Sequence, residues 1–388
     1  MTLREPELGG EAPAYSGELA PPPLVGGRFS RSRLGPPIYR EHRYATWAFW
    51  FVLIAVVSPN LYHSLSDQLL LNVWLCYAIA GIGFYWVFGL AGRFAFCQTF
   101  MMAMGGYTSA YVTAHLGPSW YLLGLLLAML ACGAIAAIVG TILSRAQDFY
   151  FAIGTLAVAE VGTVVLSHTT TFSGPSGNTI GIAAPNLFGH SLTTYLSDFW
   201  LCFVALALVV LIGIVLERSP VRRHAIAGRE NAAVARSGGV PVARTQVMLF
   251  AFGSMLGGLS GAILGSINGT VDVSSYGTSL AIGIFLMLFI GGVGSIWGPV
   301  VGAAFYVAIP QFLSSLAQYE NIVYGGLLLV VIIVFPLGLV GSLRHLLARI
   351  TRRPPPNATP DLIQRLSRIL PTQLRKPHLP EQGDAAAG

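Results

Sequence analysis

The sequence predicts an all-α fold: a polytopic membrane bundle of about ten transmembrane helices. Three observations predict it. Of the 388 residues 54% are hydrophobic and 10% charged, with a mean hydropathy of +0.67; a soluble domain carries about 25% charge. Long apolar runs without charges recur along the chain, each of the length a spanning helix needs. Finally, every Lys and Arg falls on one side of the threading those runs define. Barrel strands would be shorter and would alternate apolar with polar residues.

The elements follow in order. Residues 1–44 are polar and rich in Pro, Gly and Arg, with no early apolar core. They read as a disordered cytoplasmic tail and not as a secretory signal. Ten spans then follow at about 45–63, 68–90, 98–115, 119–143, 150–167, 198–217, 247–267, 279–293, 297–314 and 321–340. The transmembrane domain is thus 45–341, and 342–388 form a second cytoplasmic tail. With the N-terminus inside, the segments 1–44, 91–97, 144–149, 218–246, 294–296 and 341–388 hold all 22 basic residues. That asymmetry places both termini in the cytoplasm. It also makes the net charge of +6 a topology signal, so no nucleic-acid partner is expected.

Five spans fall on each side of the central break. Five is odd, so two equivalent halves would face opposite ways, as inverted repeats do. Each half carries a Gly-interrupted apolar turn, "FGLAGRFAF" at Phe88–Phe96 and "IGGVGSIWGP" at Ile290–Pro299. Such turns are either irregular backbone at membrane depth, shielded by protein or a cavity, or ordinary connections between spans.

Within the spans, Gly253, Gly257, Gly261, Gly265 and Gly269 recur every four residues. Small residues on one face let helix backbones approach closely in lipid, so these positions are read as a packing seam. "GLSG" at Gly258–Gly261 resembles the serine motif of intramembrane rhomboid proteases. No histidine lies inside a later span to partner it. No catalytic residue is assigned, and the chain is not expected to be an enzyme. Cys76, Cys97, Cys132 and Cys202 show no metal-ligand spacing, so no metal is expected. Glu160 is the one acid well inside a span, which marks it for a functional or a hydrogen-bonding role. The neutral segment "TFSGPSGNTIGI" lies in the outer loop 168–197.

The break at 218–246 is the longest polar interruption. Its centre reads as one short helix: Gly228 precedes it, and Glu230 lies in its first turn. Ala232, Ala233 and Ala235 form its body, and Gly238 and Gly239 stop it before Pro241. A helix of about ten residues is marginal alone in water, so it is expected to dock. Lipid would want bulky apolar residues, which Ala and Val234 do not supply. The bundle itself remains a candidate, and a cytoplasmic protein fits best.

Taken together, these stretches resemble the permease subunit of bacterial branched-chain amino-acid ABC transporters of the LivM type. "YFAIGTLAVAEV" with "FSGPSGNTIGI", the break with the span after it, and "LMLFIGGVGSIWGPVVGAAF" carry the resemblance. "GLAGRFAFCQTFMMAMGGYTSAY" is a looser match, bulky at Arg93, Phe94 and Phe96 where the family has small residues. The resemblance implies a pore-forming subunit in the bacterial inner membrane. Its implied partners are a LivH-like second permease, two cytoplasmic ATPase subunits, a substrate-binding protein and the lipid bilayer. It implies an ATPase-coupling stretch including Arg229, Glu230, Ala232, Ala233 and Gly238, and a translocation path touching Thr155, Glu160, Ser173 and Gly174. The implied cargo is Leu, Ile or Val. The departure at Arg93–Phe96 leaves urea, short amides or small organic acids as alternatives, and an ion-coupled secondary transporter using Glu160 is a reading of a different class. No cofactor is expected in this chain. Its lone lysine, Lys376, lies in the C-terminal tail, so no P-loop can form, and ATP falls to the partner subunits.

Overall fold

A computed structural model describes residues 65–146, 148–169, 179–181, 186–187, 190–191 and 195–312. The first and tenth predicted spans, both tails, and Ser173 and Gly174 lie outside the described residues. The elements in chain order are α1 (Leu65–Phe84), continued by a π-helical turn at Tyr85–Leu90, α2 (Gln98–Leu116), α3 (Tyr121–Leu143) and α4 (Asp148–His168). Strands β1 (Thr179–Gly181), β2 (Asn186–Leu187) and β3 (His190–Ser191) precede α5 (Tyr195–Arg218). Then come α6 (Pro220–Glu230), α7 (Ala232–Ser237), α8 (Val242–Asn268), β4 (Thr270–Asp272), α9 (Thr278–Gly291) and α10 (Trp297–Phe312).

Among the described residues, five helical stretches are long and apolar enough to cross a membrane: Asp67–Leu90, Pro118–Leu143, Phe149–His168, Leu196–Arg218 and Val242–Asn268. The all-α polytopic bundle expected from composition is therefore what the chain forms. Helix α2 carries Gln98, Thr99, Ser109 and Thr113 on buried positions and is not among the five. Helix α9 has 14 residues, about 21 Å at 1.5 Å per residue. That is shorter than a hydrocarbon core of about 30 Å.

Helix α8 is the spine of the bundle. It packs on α1, α2 and α3, and most of its length beyond Leu249 is buried. The predicted glycines explain the close approach. A methyl group added at Gly253 would come within 2.5 Å of the Gly83 carbonyl oxygen of α1. At Gly257 it would meet the Gln98 amide at 2.9 Å, and at Gly261 the Met102 carbonyl of α2. Gly265 is also buried. Gly258 serves the other side, against Ala128 and Cys132 of α3. Gly269 does not belong to this face. It ends α8 as a left-handed cap with φ 68°, a conformation that glycine adopts without steric cost.

Polar side chains pin the same helices. The Gln98 amide, 2% exposed, donates to the Gly253 carbonyl at 3.1 Å and to the Ala80 carbonyl at 3.3 Å. Ser260 donates to the Cys76 carbonyl at 2.7 Å. Tyr121 and Ser266 bond at 2.7 Å and tie α3 to the end of α8. In a medium without water each such group must find a partner inside the protein.

Two small β-pairings were not anticipated. β1 pairs antiparallel with β4, Ile180 opposite Val271, and β2 pairs with β3. The first folds part of the predicted outer loop back onto the bundle. There Tyr107 of α2 donates to the Val271 carbonyl at 3.3 Å.

Candidate functional site

The polar break is built differently from the sequence reading. It contains two helices, not one. Ser219 caps α6 by accepting from the Val221 amide at 3.2 Å, with Pro220 at the first helical position. Proline suits that position because its missing N–H would be unsatisfied anyway. Helix α6 then runs through Gly228 and Glu230, so Glu230 ends a helix and does not begin one. Gly228 is buried against Val242. Asn231 interrupts the run with an extended backbone, φ −155° and ψ 101°. Its side-chain oxygen accepts from the amides of Ala233 and Val234, both at 3.1 Å. That cap starts α7. The stop is as expected: Gly238 caps α7, Gly239 has φ 79°, and Pro241 precedes α8.

Helix α7 stands outward. Ala235 is buried, whereas Ala233, Arg236 and Ser237 are exposed and Val234 is 65% exposed. Ala232 is half-buried. The loop is tied to the bundle one turn earlier. Arg229 donates from Nη1 to the Gly89 carbonyl at 2.6 Å. Its aliphatic stem crosses Gly92, where a methyl group would meet Cγ at 2.7 Å. Gly92 also has φ 74°, so a side chain there would be strained twice. A second tie runs from the Tyr85 hydroxyl, which donates to Glu217 Oε1 at 2.7 Å. Both ties land on the π-helical turn Tyr85–Leu90. Short π-turns of this kind recur at functional positions in helices.

Beyond that turn the chain re-enters the bundle. Leu90 ends the descent, yet Gln98 begins α2 at the level of Ala80 and Gly253. Residues 91–97 therefore climb back without regular structure. The Phe96 amide donates to Thr155 Oγ1 of α4 at 3.2 Å, and Thr155 in turn donates to the Ala152 carbonyl at 2.9 Å. Arg93, 8% exposed, donates to the Ala146 carbonyl at 3.0 Å and lies 5.0 Å from the centre of the Phe151 ring. Thr155 is thus fully buried and holds backbone in place. Glu160 is exposed on α4 and accepts from the Thr278 hydroxyl, at the start of α9, at 3.1 Å. The structure does not bring Glu160 together with the Arg229–Gly238 stretch, and Ser173 and Gly174 fall outside the described residues. Among the described residues there is no group of three or more His, Cys, Asp or Glu able to hold a metal.

Sequence reasoning missed Asn231, Tyr85, Glu217 and Gln98; Gly89 and Gly92 lie in the Gly-interrupted turn it singled out, but their contact with Arg229 was not foreseen. Asn231 was readable, since Asn is a leading N-cap residue. The Ser219–Pro220 pair was an equally readable helix start. The contacts of Gly89, Tyr85 and Gln98 are with residues far away in the chain, and no local pattern announces them.

A helical bundle with a glycine-packed spine, a re-entrant break and five helices long and apolar enough to cross a membrane defines a polytopic membrane protein. The chain belongs to the family described as the branched-chain amino acid transport system permease component, whose sequence profile matches residues 68–335. It is 26% identical over 316 residues to the high-affinity branched-chain amino acid transport system permease protein LivM of Salmonella typhimurium, covering 76% of this chain and 74% of that one. Against LivM of Escherichia coli K12 it is 26% identical, covering 70% and 69%. The LivH permease of Escherichia coli K12 is 25% identical, covering 68% of this chain and 91% of that protein. No solved structure matches it.

Proposed function

We propose that this chain is the LivM-like permease subunit of an ATP-driven importer in the bacterial inner membrane, moving branched-chain amino acids handed over by a binding protein. A LivH-like chain would complete the membrane unit, and two ATPase subunits would grip the cytoplasmic loop. The family assignment supports the transport class, and the names of the relatives support the cargo. The observation that carries the coupling role is α7. It is a capped six-residue helix with Ala233 and Val234 turned outward, too short to persist without support, and it sits one turn from Arg229, which is fastened to Gly89. A push on α7 would thus reach the membrane break by way of the Arg229 side chain. Arg229, Glu230, Ala232, Ala233 and Gly238 form or flank this lever. Both tails and the loop would face the cytoplasm, as the arginine asymmetry indicates.

The test is uptake by the complete complex in liposomes. Replacing Ala233 by Trp should abolish ATP-driven leucine uptake while the subunit still inserts and assembles with its membrane partner. Normal uptake in that variant would remove α7 from the coupling route. Urea, short amides and small organic acids are competitor cargoes in the same assay.

A further inference from the structure

We propose that a wall of phenylalanines on the re-entrant break and on α9 is the gate of the translocation path, and that Arg229 draws it open. This rests on the reading of the chain as an ATP-driven permease. Phe88 comes from the π-turn, Phe94 and Phe96 from residues 91–97, and Phe285 and Phe289 from α9. Ring centroids lie 4.5 Å apart for Phe88 and Phe94, 5.5 Å for Phe88 and Phe289, and 4.4 Å for Phe285 and Phe289. Phe94 and Phe96 stand 5.9 and 6.5 Å from Phe285, with rings nearly parallel to it at 28° and 26°. These spacings are those of attractive aromatic pairs.

The wall has one covered and one open side. Ala95, between the two phenylalanines, is 2% exposed, and Phe88 is 8% exposed. Phe94, Phe96, Phe285 and Phe289 are all half-buried. On α9, Thr278, Ile282, Phe285 and Phe289 follow the i, i+4, i+7, i+11 spacing that shares one helix face. That face starts at the Thr278–Glu160 hydrogen bond, passes exposed Ile282, and ends in the aromatic wall. Irregular backbone at membrane depth is tolerated where it is buried in protein or lines a water-filled cavity, and the half-buried wall on residues 91–97 is read as the lining of such a cavity. Apolar constrictions close by excluding water. They hold back water and small neutral or zwitterionic solutes without offering a binding site.

The backbone of the wall is held along its length by Thr155 at Phe96 and by Ala146 at Arg93, and one further hold comes from the polar loop. Gln98 and Gly83 pin the two ends of the segment to α8. Between those pins, Gly89 and Gly92 receive Arg229 from the loop. Displacing Arg229 shifts the backbone that carries Phe88 and Phe94.

The experiment uses the complete complex in sealed liposomes without ATP. Passive efflux of radiolabelled leucine and of urea is measured. The F94A/F96A variant should leak both solutes about tenfold faster than the wild type, because the constriction is widened. F94L/F96L should stay sealed, since leucine keeps the apolar bulk. F285A, on the opposite side of the wall, should leak as well. Wild-type tightness in both F94A/F96A and F285A overturns the proposal and would mean that the wall faces lipid or the second permease. Failure of the cargo reading shows separately, as no ATP-driven leucine accumulation by the wild type, while the urea leak still reports on the gate.

Discussion

Arg229 and Gly89 are 140 residues apart in sequence, yet the guanidinium of one donates to the carbonyl of the other at 2.6 Å. The bond joins the end of an amphipathic loop helix to a π-helical turn at the end of a spanning helix. It links the polar break directly to the turn from which the re-entrant segment starts.

Replacing Arg229 by Ala should therefore uncouple the machine without dismantling it. A hydrogen bond to a charged group contributes about 1.5–3 kcal/mol, a modest fraction of a bundle held by many buried contacts. Leucine uptake per ATP hydrolysed should fall steeply, while the assembled complex elutes unchanged in size. R229K should recover part of the ratio, because the ammonium keeps the charge but lacks the planar fork.

Asn231→Ala should fray α7 alone. The cap satisfies two amides, Ala233 and Val234, and losing such a cap costs about 1 kcal/mol. Hydrogen exchange at 233–237 should accelerate, with exchange in α8 unchanged. Asn231→Asp should exchange like the wild type.

Gly253→Leu should destabilise the whole bundle. Even the first carbon would come within 2.5 Å of the Gly83 carbonyl, and overpacking of this kind costs about 1–3 kcal/mol or more. The thermal midpoint in detergent should drop and Gly257→Leu should do the same. Met248→Leu, on an exposed position of the same helix, should not.

Glu160→Gln separates the two energy sources. The amide oxygen can still accept from Thr278, so the geometry survives while the carboxyl group is removed. ATP-driven leucine uptake should persist in E160Q and should resist an uncoupler. Collapse of uptake with the proton gradient would favour the ion-coupled reading instead.

The bundle was legible because lipid imposes length and composition on every span. The predicted limits of 119–143 and 198–217 fall within a few residues of α3 and α5 for that reason. The glycine seam was legible too, because spacing by four survives in the sequence. The break at Asn231 was overlooked although Asn is a leading N-cap residue, because the alanines on both sides favour helix and only the extended backbone of one residue divides it. The re-entry at 91–97 was readable as a Gly-interrupted turn, but its depth depends on Gln98 reaching Gly253, a contact with no local signature. The β1–β4 pairing was hidden for the same reason, since three-residue strands carry too little periodicity to register.

The glycine spine also says which parts can travel. Along α1, α2 and α8 the contacts are backbone against backbone, with Gly83 on Gly253 and Gly261 on Met102. At these two points there is no side-chain cushion, so a slide of one helix along another would drive carbonyl oxygens into α-carbons within a fraction of a turn. The three helices must behave as a single rigid chassis. Any change in which side of the membrane the protein opens to is then confined to what hangs from that chassis: the re-entrant loop, the short helix α9, and the outlying α4.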